Sequence, residues 1–310
     1  MIGNRSFCSK ILLFGEYSII KNSMALSIPY RLFEGQLKFR SSDEIGKGLR
    51  RGSPDPELKP FGQYLQNLAD KGELFSDLDV ESFQFDISQG LYFDSTIPQG
   101  YGVGSSGALC AAVFDVYNKN DRSQFDILSL KEIFSQLESH FHGASSGLDP
   151  LISYLDRPVL LKDKTHVGTV DMPSFEKGKG GIFLLSTGRP RRTEPLVNLF
   201  LEKCKDREFE SLCQNTLIPS TNNCIECLLE GQIAKLWREF ENLSLFQYKH
   251  FLPMIPNLYQ GLYKQGLEHG DFFLKLCGAG GGGFIMGMTR DFSKVKSTLG
   301  QYEYRPVLYF

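Results

Sequence analysis

Between Ile97 and Val113 the chain reads IPQGYGVGSSGALCAAV, with four glycines and two serines running directly into a helical pattern of small apolar residues. Glycines at 100, 102 and 104 allow a backbone path with positive φ, and Ser105 and Ser106 fall in the first turn of the helix that follows. In that turn the unpaired N–H groups and the positive end of the helix dipole favour an anion. A serine-capped glycine turn without a ligand has the same local sequence, so its meaning depends on what accompanies it.

The chain has 310 residues, 41% of them hydrophobic and 23% charged, which suits one large or two medium globular domains. A net charge of -2 and a pI near 6.2 give no general basic surface, so nucleic acid is not an expected partner and any anion must be held by a local site. No apolar run reaches the roughly 18 residues of a membrane span, and residues 1–10 lack the apolar core of a secretory signal. The seven cysteines are scattered, as expected of reduced thiols in a cytoplasm. Cys224 and Cys227 have C-x-x-C spacing but no second pair or nearby histidine, so they read as one helix face and not as a zinc site.

Along the chain, Cys8–Ile20 is an apolar strand pattern broken at Gly15-Glu16 and then resumed, and Ala25–Phe39 continues as extended chain. Lys10 and Glu16 are charges among apolar residues, and such charges need partners or a function. Residues 41–56 form a polar loop with the composition of a flap over a ligand. Helical spacing over 57–74 precedes strands expected at Ser82–Ile87 and Leu91–Asp94. A second helix runs over Leu128–Phe141 and ends at His142-Gly143, and a serine-rich helix start, Ala144–Pro150, follows at once. This order sets Glu138 and Asp149 on either side of a tight turn, as a metal ligand and a base or as a solvated charge and a helix cap. A Lys- and Gly-rich linker over 175–181 separates two domains, 1–178 and 179–310. The second opens with a strand, carries Arg189, Arg191 and Arg192 into a long helical region, and closes on strand, glycine loop, strand, helix and strand. Glycines at 278 and 280–283 between two strands imply close approach by another backbone or a ligand.

The order and spacing of these stretches resemble the GHMP kinases, a superfamily named for galactokinase, homoserine kinase, mevalonate kinase and phosphomevalonate kinase. Ser9–Glu16 resembles the first family motif, Pro98–Ala108 the phosphate-binding second motif and Lys275–Phe284 the glycine-rich third. The segment from Glu138 to Asp149 is most similar to the mevalonate kinase branch. The resemblance implies an α+β fold with an N-terminal domain like ribosomal S5 domain 2 and a ferredoxin-like C-terminal domain. It also implies an ATP- and Mg²⁺-dependent kinase that phosphorylates the 5-hydroxyl of mevalonate, a step in isoprenoid formation.

By position, the resemblance gives Asp149 the role of base, Lys10 that of its partner and charge stabiliser, and Thr193 that of orienting Asp149. Gly102, Gly104, Ser105, Ser106, Gly278, Gly280 and Gly281 fall on the ATP site, Ser106 and Glu138 on the metal, and Glu16 and Tyr17 on the substrate. Three departures stand out: Tyr17 replaces the histidine common in mevalonate kinases, and Val103 and Gly107 replace leucine and alanine in the second motif. Tyr17 and the three arginines favour a phosphomevalonate kinase as the alternative, and a nucleotide-binding sensor without chemistry is the reading from another class. The expected partner is a small-molecule alcohol, with no membrane partner and with a homodimer left open.

Overall fold

The structure is a computed structural model, and it describes residues 5–40, 55–163, 166–175, 178–190 and 194–310. Thr193, Arg191, Arg192 and nearly all of the polar loop at 41–56 lie outside the described residues. The chain forms two compact units assembled from separated stretches. The first takes the N-terminus to Lys10, Pro29–Pro98 and Gly104–Arg157, and the second takes Ile11–Ile28, Gln99–Val103 and Pro158–Phe310.

Strands β1 (Phe7–Phe14) and β2 (Ala25–Phe39) pass from one unit into the other. In the first unit, helices α1 (Leu58–Lys71) and α2 (Val80–Ser88) lead to β3 (Leu91–Ser95), which pairs antiparallel with β2 from Gly35↔Ser95 to Phe39↔Leu91. Helices α3 (Ser105–Tyr117), α4 (Ile127–His142) and α5 (Leu148–Leu155) complete it. Their core is aromatic: Phe114 meets Phe134 and Tyr154 at centroid distances of 5.1 and 5.4 Å, and Phe61 meets Phe83 at 6.2 Å. Such edge-to-face contacts add to the burial of large apolar surfaces.

In the second unit, β4 (Val159–Leu161) pairs with the start of β2 and with β5 (Val167–Thr169). Next come β6 (Gly181–Ser186) and the helices α6 (Glu194–Lys203), α7 (Arg207–Leu212), α8 (Ile218–Leu229), α9 (Ile233–His250) and α10 (Asn257–His269). The strands β7 (Phe272–Leu276), β8 (Phe284–Thr289) and, after helix α11 (Phe292–Leu299), β9 (Tyr304–Tyr309) close an antiparallel sheet in the order β7-β8-β6-β9. Trp237 of α9 covers this sheet at Phe273, with ring centroids 4.6 Å apart. The α+β class is therefore as expected, and Cys224 and Cys227 are buried along α8 as free thiols.

Two local expectations are corrected. Ser82–Ile87 is helix and not strand: Phe83, Phe85 and Ile87 alternate, yet Val80, Phe83 and Ile87 share a buried helical face while Phe85 is 63% exposed. Asp79 decides the matter by capping α2, its carboxylate accepting from the Ser82 N–H at 3.1 Å. The strand pattern of β1 also does not resume after Glu16. Tyr17 has φ 63°, the Ser18 N–H turns back to the Glu16 carbonyl at 2.7 Å, and Ser18–Lys21 is a 3₁₀ turn held by a buried Ser23–Ser18 hydroxyl pair.

The Ser82 N–H bond holds the Asp79 carboxyl below its ordinary range. Its contribution is therefore complete above the unfolded carboxyl value of about 4 and fades as pH falls through the lower folded value. Asp79→Ala should lower unfolding free energy by about 1 kcal/mol in urea titrations at neutral pH, with a smaller deficit near pH 3.

Candidate active site

The site in the first unit begins with a charge on a strand. Lys10 sits in β1 with its stem buried and its ammonium 2.9 Å from Asp149 Oδ1, in the first turn of α5. Gly104 makes room for this pair: at φ 81° it caps α3, and a Cβ there would lie 3.0 Å from Lys10 Cγ and 3.7 Å from Asp149 Oδ2. Gly147 performs the same service at the start of α5, where φ is 71° and a Cβ would run into the Lys131 carbonyl. The small residues of α3 have their purpose here, since a Cβ on Gly107 would stand 2.8 Å from both Asp149 C and Pro150 N. Backbone packs on backbone at that point, which brings Asp149 to the N-terminus of α3.

One turn into α3, Ser106 Oγ donates to Glu138 Oε1 at 3.2 Å and lies 3.0 Å from His142 Nε2. Glu138 and His142 are four residues apart on α4 and therefore project from one face. Ser145 donates to the other Glu138 oxygen and also accepts the Gly147 N–H at 3.0 Å, tying the turn to the carboxylate. Burial pushes the Glu138 carboxyl up to about 7, and the neighbouring Asp149 carboxylate adds to this against the opposing effects of Ser145, Lys10 and Ser106. Among the described residues no group of three or more His, Cys, Asp or Glu is placed to hold a metal. Beside the His142 imidazole, the donors are hydroxyl and carboxylate oxygens, of the kind that a hard cation such as Mg²⁺ takes together with water and substrate phosphate.

The glycine loop between β7 and β8 belongs to the second unit. Gly278, Gly280, Gly281 and Gly283 all have φ between 69° and 78°. Backbone approaches Gly280, Gly282 and Gly283: a Cβ on Gly282 would lie 2.8 Å from the Arg189 carbonyl, one on Gly283 2.5 Å from that of Tyr101, and one on Gly280 would strike that of Met254, while Gly281 faces the Leu196 side chain. Glu16 and Tyr17 are buried in this unit, Glu16 against Lys275 at 2.6 Å and Tyr17 with its hydroxyl on the Ala279 carbonyl at 2.5 Å. The Arg189 side chain is exposed, while its carbonyl accepts the Gly283 N–H at 2.7 Å.

Residues 65–157, which hold α3, α4 and α5, match the GHMP kinases N terminal domain. Over 287 residues, covering 90% of this chain and 89% of the relative, the sequence is 26% identical to a mevalonate kinase of Archaeoglobus fulgidus. The chain thus carries a region similar to the GHMP kinases N terminal domain and resembles mevalonate kinases over most of its length. The fold agrees with two solved structures. The phosphomevalonate kinase of Streptococcus pneumoniae superposes with a TM-score of 0.65 at 14% identity, with 98% of each chain covered. The L. major mevalonate kinase in complex with R-mevalonate gives 0.62 at 15% identity, covering 97% of this chain and 91% of that one.

The structure brings Lys10, Gly104, Ser106, Glu138 and Asp149 together in the first unit and sets Glu16, Tyr17 and the third glycine motif in the second. Sequence reasoning missed His142 and Ser145 as neighbours of this cluster. The i,i+4 spacing of Glu138 and His142 was available to find the first, whereas Ser145 reaches Glu138 only through the geometry of the turn. Gly107→Ala should leave nucleotide affinity within about threefold yet lower kcat at least tenfold, because pushing α5 off α3 displaces Asp149. Steady-state kinetics beside ADP calorimetry measures both.

Proposed function

We propose that this chain is a GHMP kinase that transfers the γ-phosphoryl group of ATP to the 5-hydroxyl of mevalonate. The observation that carries the reading is the 2.9 Å Lys10–Asp149 pair at the N-terminus of α3, with Ser106 and Glu138 beside it. Asp149 accepts the hydroxyl proton as the acceptor oxygen attacks the γ-phosphorus. The bond from that phosphorus to the β–γ bridging oxygen breaks, and ADP leaves with the electron pair. Lys10 offsets charge on the attacking oxygen, and the α3 N-terminus with Ser105 and Ser106 supports the phosphate oxygens. Ser106 and Glu138 would hold Mg²⁺, which neutralises charge on the β and γ oxygens when bound. The fit rests on Glu138 itself, a buried carboxyl with a second carboxylate nearby, whose ionised form a cation stabilises. Thr193 would orient Asp149, and Gly278, Gly280 and Gly281 would line the nucleotide. The seven free thiols suit a reducing compartment, the cytoplasm.

Mevalonate is chosen over phosphomevalonate because the mevalonate kinase relatives span nearly the whole chain. Tyr17, which pointed toward phosphomevalonate, spends its hydroxyl on Ala279. Phosphomevalonate remains the second reading, since the S. pneumoniae enzyme shares the fold over its full length.

ADP release measured across mevalonate, phosphomevalonate, galactose and homoserine should give the highest kcat/KM for mevalonate; a higher value for phosphomevalonate replaces the acceptor and keeps the chemistry. Asp149→Asn should lower kcat by roughly 10²–10⁴ with ADP binding nearly intact. A variant that keeps half of the wild-type kcat would remove Asp149 as the base. Ser106→Ala and Glu138→Gln should each raise the Mg²⁺ concentration needed for half-maximal rate, and unchanged titrations in both would remove them from the metal site.

A further inference from the structure

The first half of the glycine loop is tied down by Glu16 and Tyr17, in the turn that follows β1. Glu16 Oε1 accepts from Lys275 Nζ at 2.6 Å and from the Gly278 N–H at 3.4 Å, while Lys275 Nζ also reaches the Leu276 carbonyl at 2.7 Å. The Tyr17 hydroxyl donates to the Ala279 carbonyl, the next residue along. Both side chains of the ion pair are out of solvent, at 0% and 1% exposure, so neither is open to a dissolved substrate.

Glycine loses more freedom on ordering than any other residue, and a loop with four positive-φ glycines keeps one path only if its backbone is fastened at several points. The Gly281 and Gly283 N–H groups are fastened by the Met254 and Arg189 carbonyls, each at 2.7 Å. Gly278 and Ala279 are fastened by Glu16 and Tyr17. Tyr17 holds φ 63°, a costly conformation for a residue with a bulky ring, and such strain persists where the surroundings over-determine it. Its ring is wedged against Phe200 and Phe251 at 5.0 and 5.1 Å, which aims the hydroxyl at Ala279. An acceptor contact would use the hydroxyl that this arrangement commits to the loop.

We propose that Glu16 and Tyr17 are positioning residues that hold the loop from Cys277 to Gly283 in its nucleotide-binding conformation and do not touch the acceptor. This rests on placing the loop in the ATP site, so the test separates the two. Tyr17→Phe keeps the ring and removes one hydrogen bond, and Glu16→Gln keeps the shape and removes the charge facing Lys275. Hydrogen exchange of the ligand-free protein, ADP affinity by calorimetry, and KM for the acceptor are measured for each, with the thermal midpoint as a folding control.

Tyr17→Phe should speed exchange at residues 278–280, weaken ADP about three- to tenfold, as expected for one buried hydrogen bond, and leave acceptor KM within twofold. Glu16→Gln should do the same more strongly, because it leaves a buried ammonium with a neutral partner. Unchanged exchange in both folded variants, unchanged ADP affinity despite faster exchange, or a raised acceptor KM with ADP affinity intact would each overturn the proposal. A wild-type protein that binds ADP but turns over no mevalonate would overturn the acceptor assignment alone, since the exchange and calorimetry readouts do not use the acceptor.

Discussion

The approach of α5 to α3 at Gly107 is the constraint from which the first unit's chemistry follows. Packing of helix backbone on helix backbone at under 3 Å from a hypothetical Cβ leaves no freedom to slide, so Asp149 takes its place from Gly107 as much as from its own helix. Lys10 then meets Asp149 across the space that Gly104 leaves open, and Gly147 lets the chain turn sharply enough to start α5 against α4. Three missing side chains thus determine the position of one carboxylate. This also accounts for the departure from alanine at Gly107: with the helices this close, a methyl group has no room.

Glu138 shows what that crowding does electrostatically. A carboxyl buried beside another carboxylate is driven toward its neutral form, and the hydroxyls of Ser106 and Ser145 and the charge of Lys10 recover only part of the loss. The site is therefore poorly satisfied by protein groups alone while being rich in oxygen donors. Perturbed carboxyls of this kind cluster at functional sites, and the cation proposed for Ser106 and Glu138 would answer the imbalance that the fold creates.

The sequence made the local features legible and the non-local ones invisible. Glycines at 102, 104 and 147 permit the positive φ that they adopt, and Glu138 and Asp149 are joined by a turn too short to separate them, so their approach could be read from spacing. Ser82–Ile87 misled because phenylalanines at 83 and 85 alternate, and only the cap at Asp79 and the exposure of Phe85 show which period governs. Lys275 could not be matched with Glu16 from spacing, since the two stand 259 positions apart in the chain. The interleaving of the two units, with Ile11–Ile28 and Gln99–Val103 belonging with the C-terminal half, leaves no trace in composition. A strand shared between two units cannot be seen in a sequence.

The Glu16–Lys275 pair raises a question of design, because a buried ion pair is weak evidence for stability and well-packed apolar residues often serve as well. Its value lies in the groups it satisfies besides itself. Lys275 Nζ takes up the Leu276 carbonyl and Glu16 takes the Gly278 N–H, two backbone groups at the end of β7, an edge strand of its sheet. Gln247 adds its side-chain carbonyl to the Leu276 N–H at 2.7 Å for the same reason. An apolar pair would fill the volume and leave those groups buried without partners, each at a cost of about 1–3 kcal/mol. The charges persist because a glycine loop emerging from a buried strand needs donors and acceptors where no neighbouring strand supplies them.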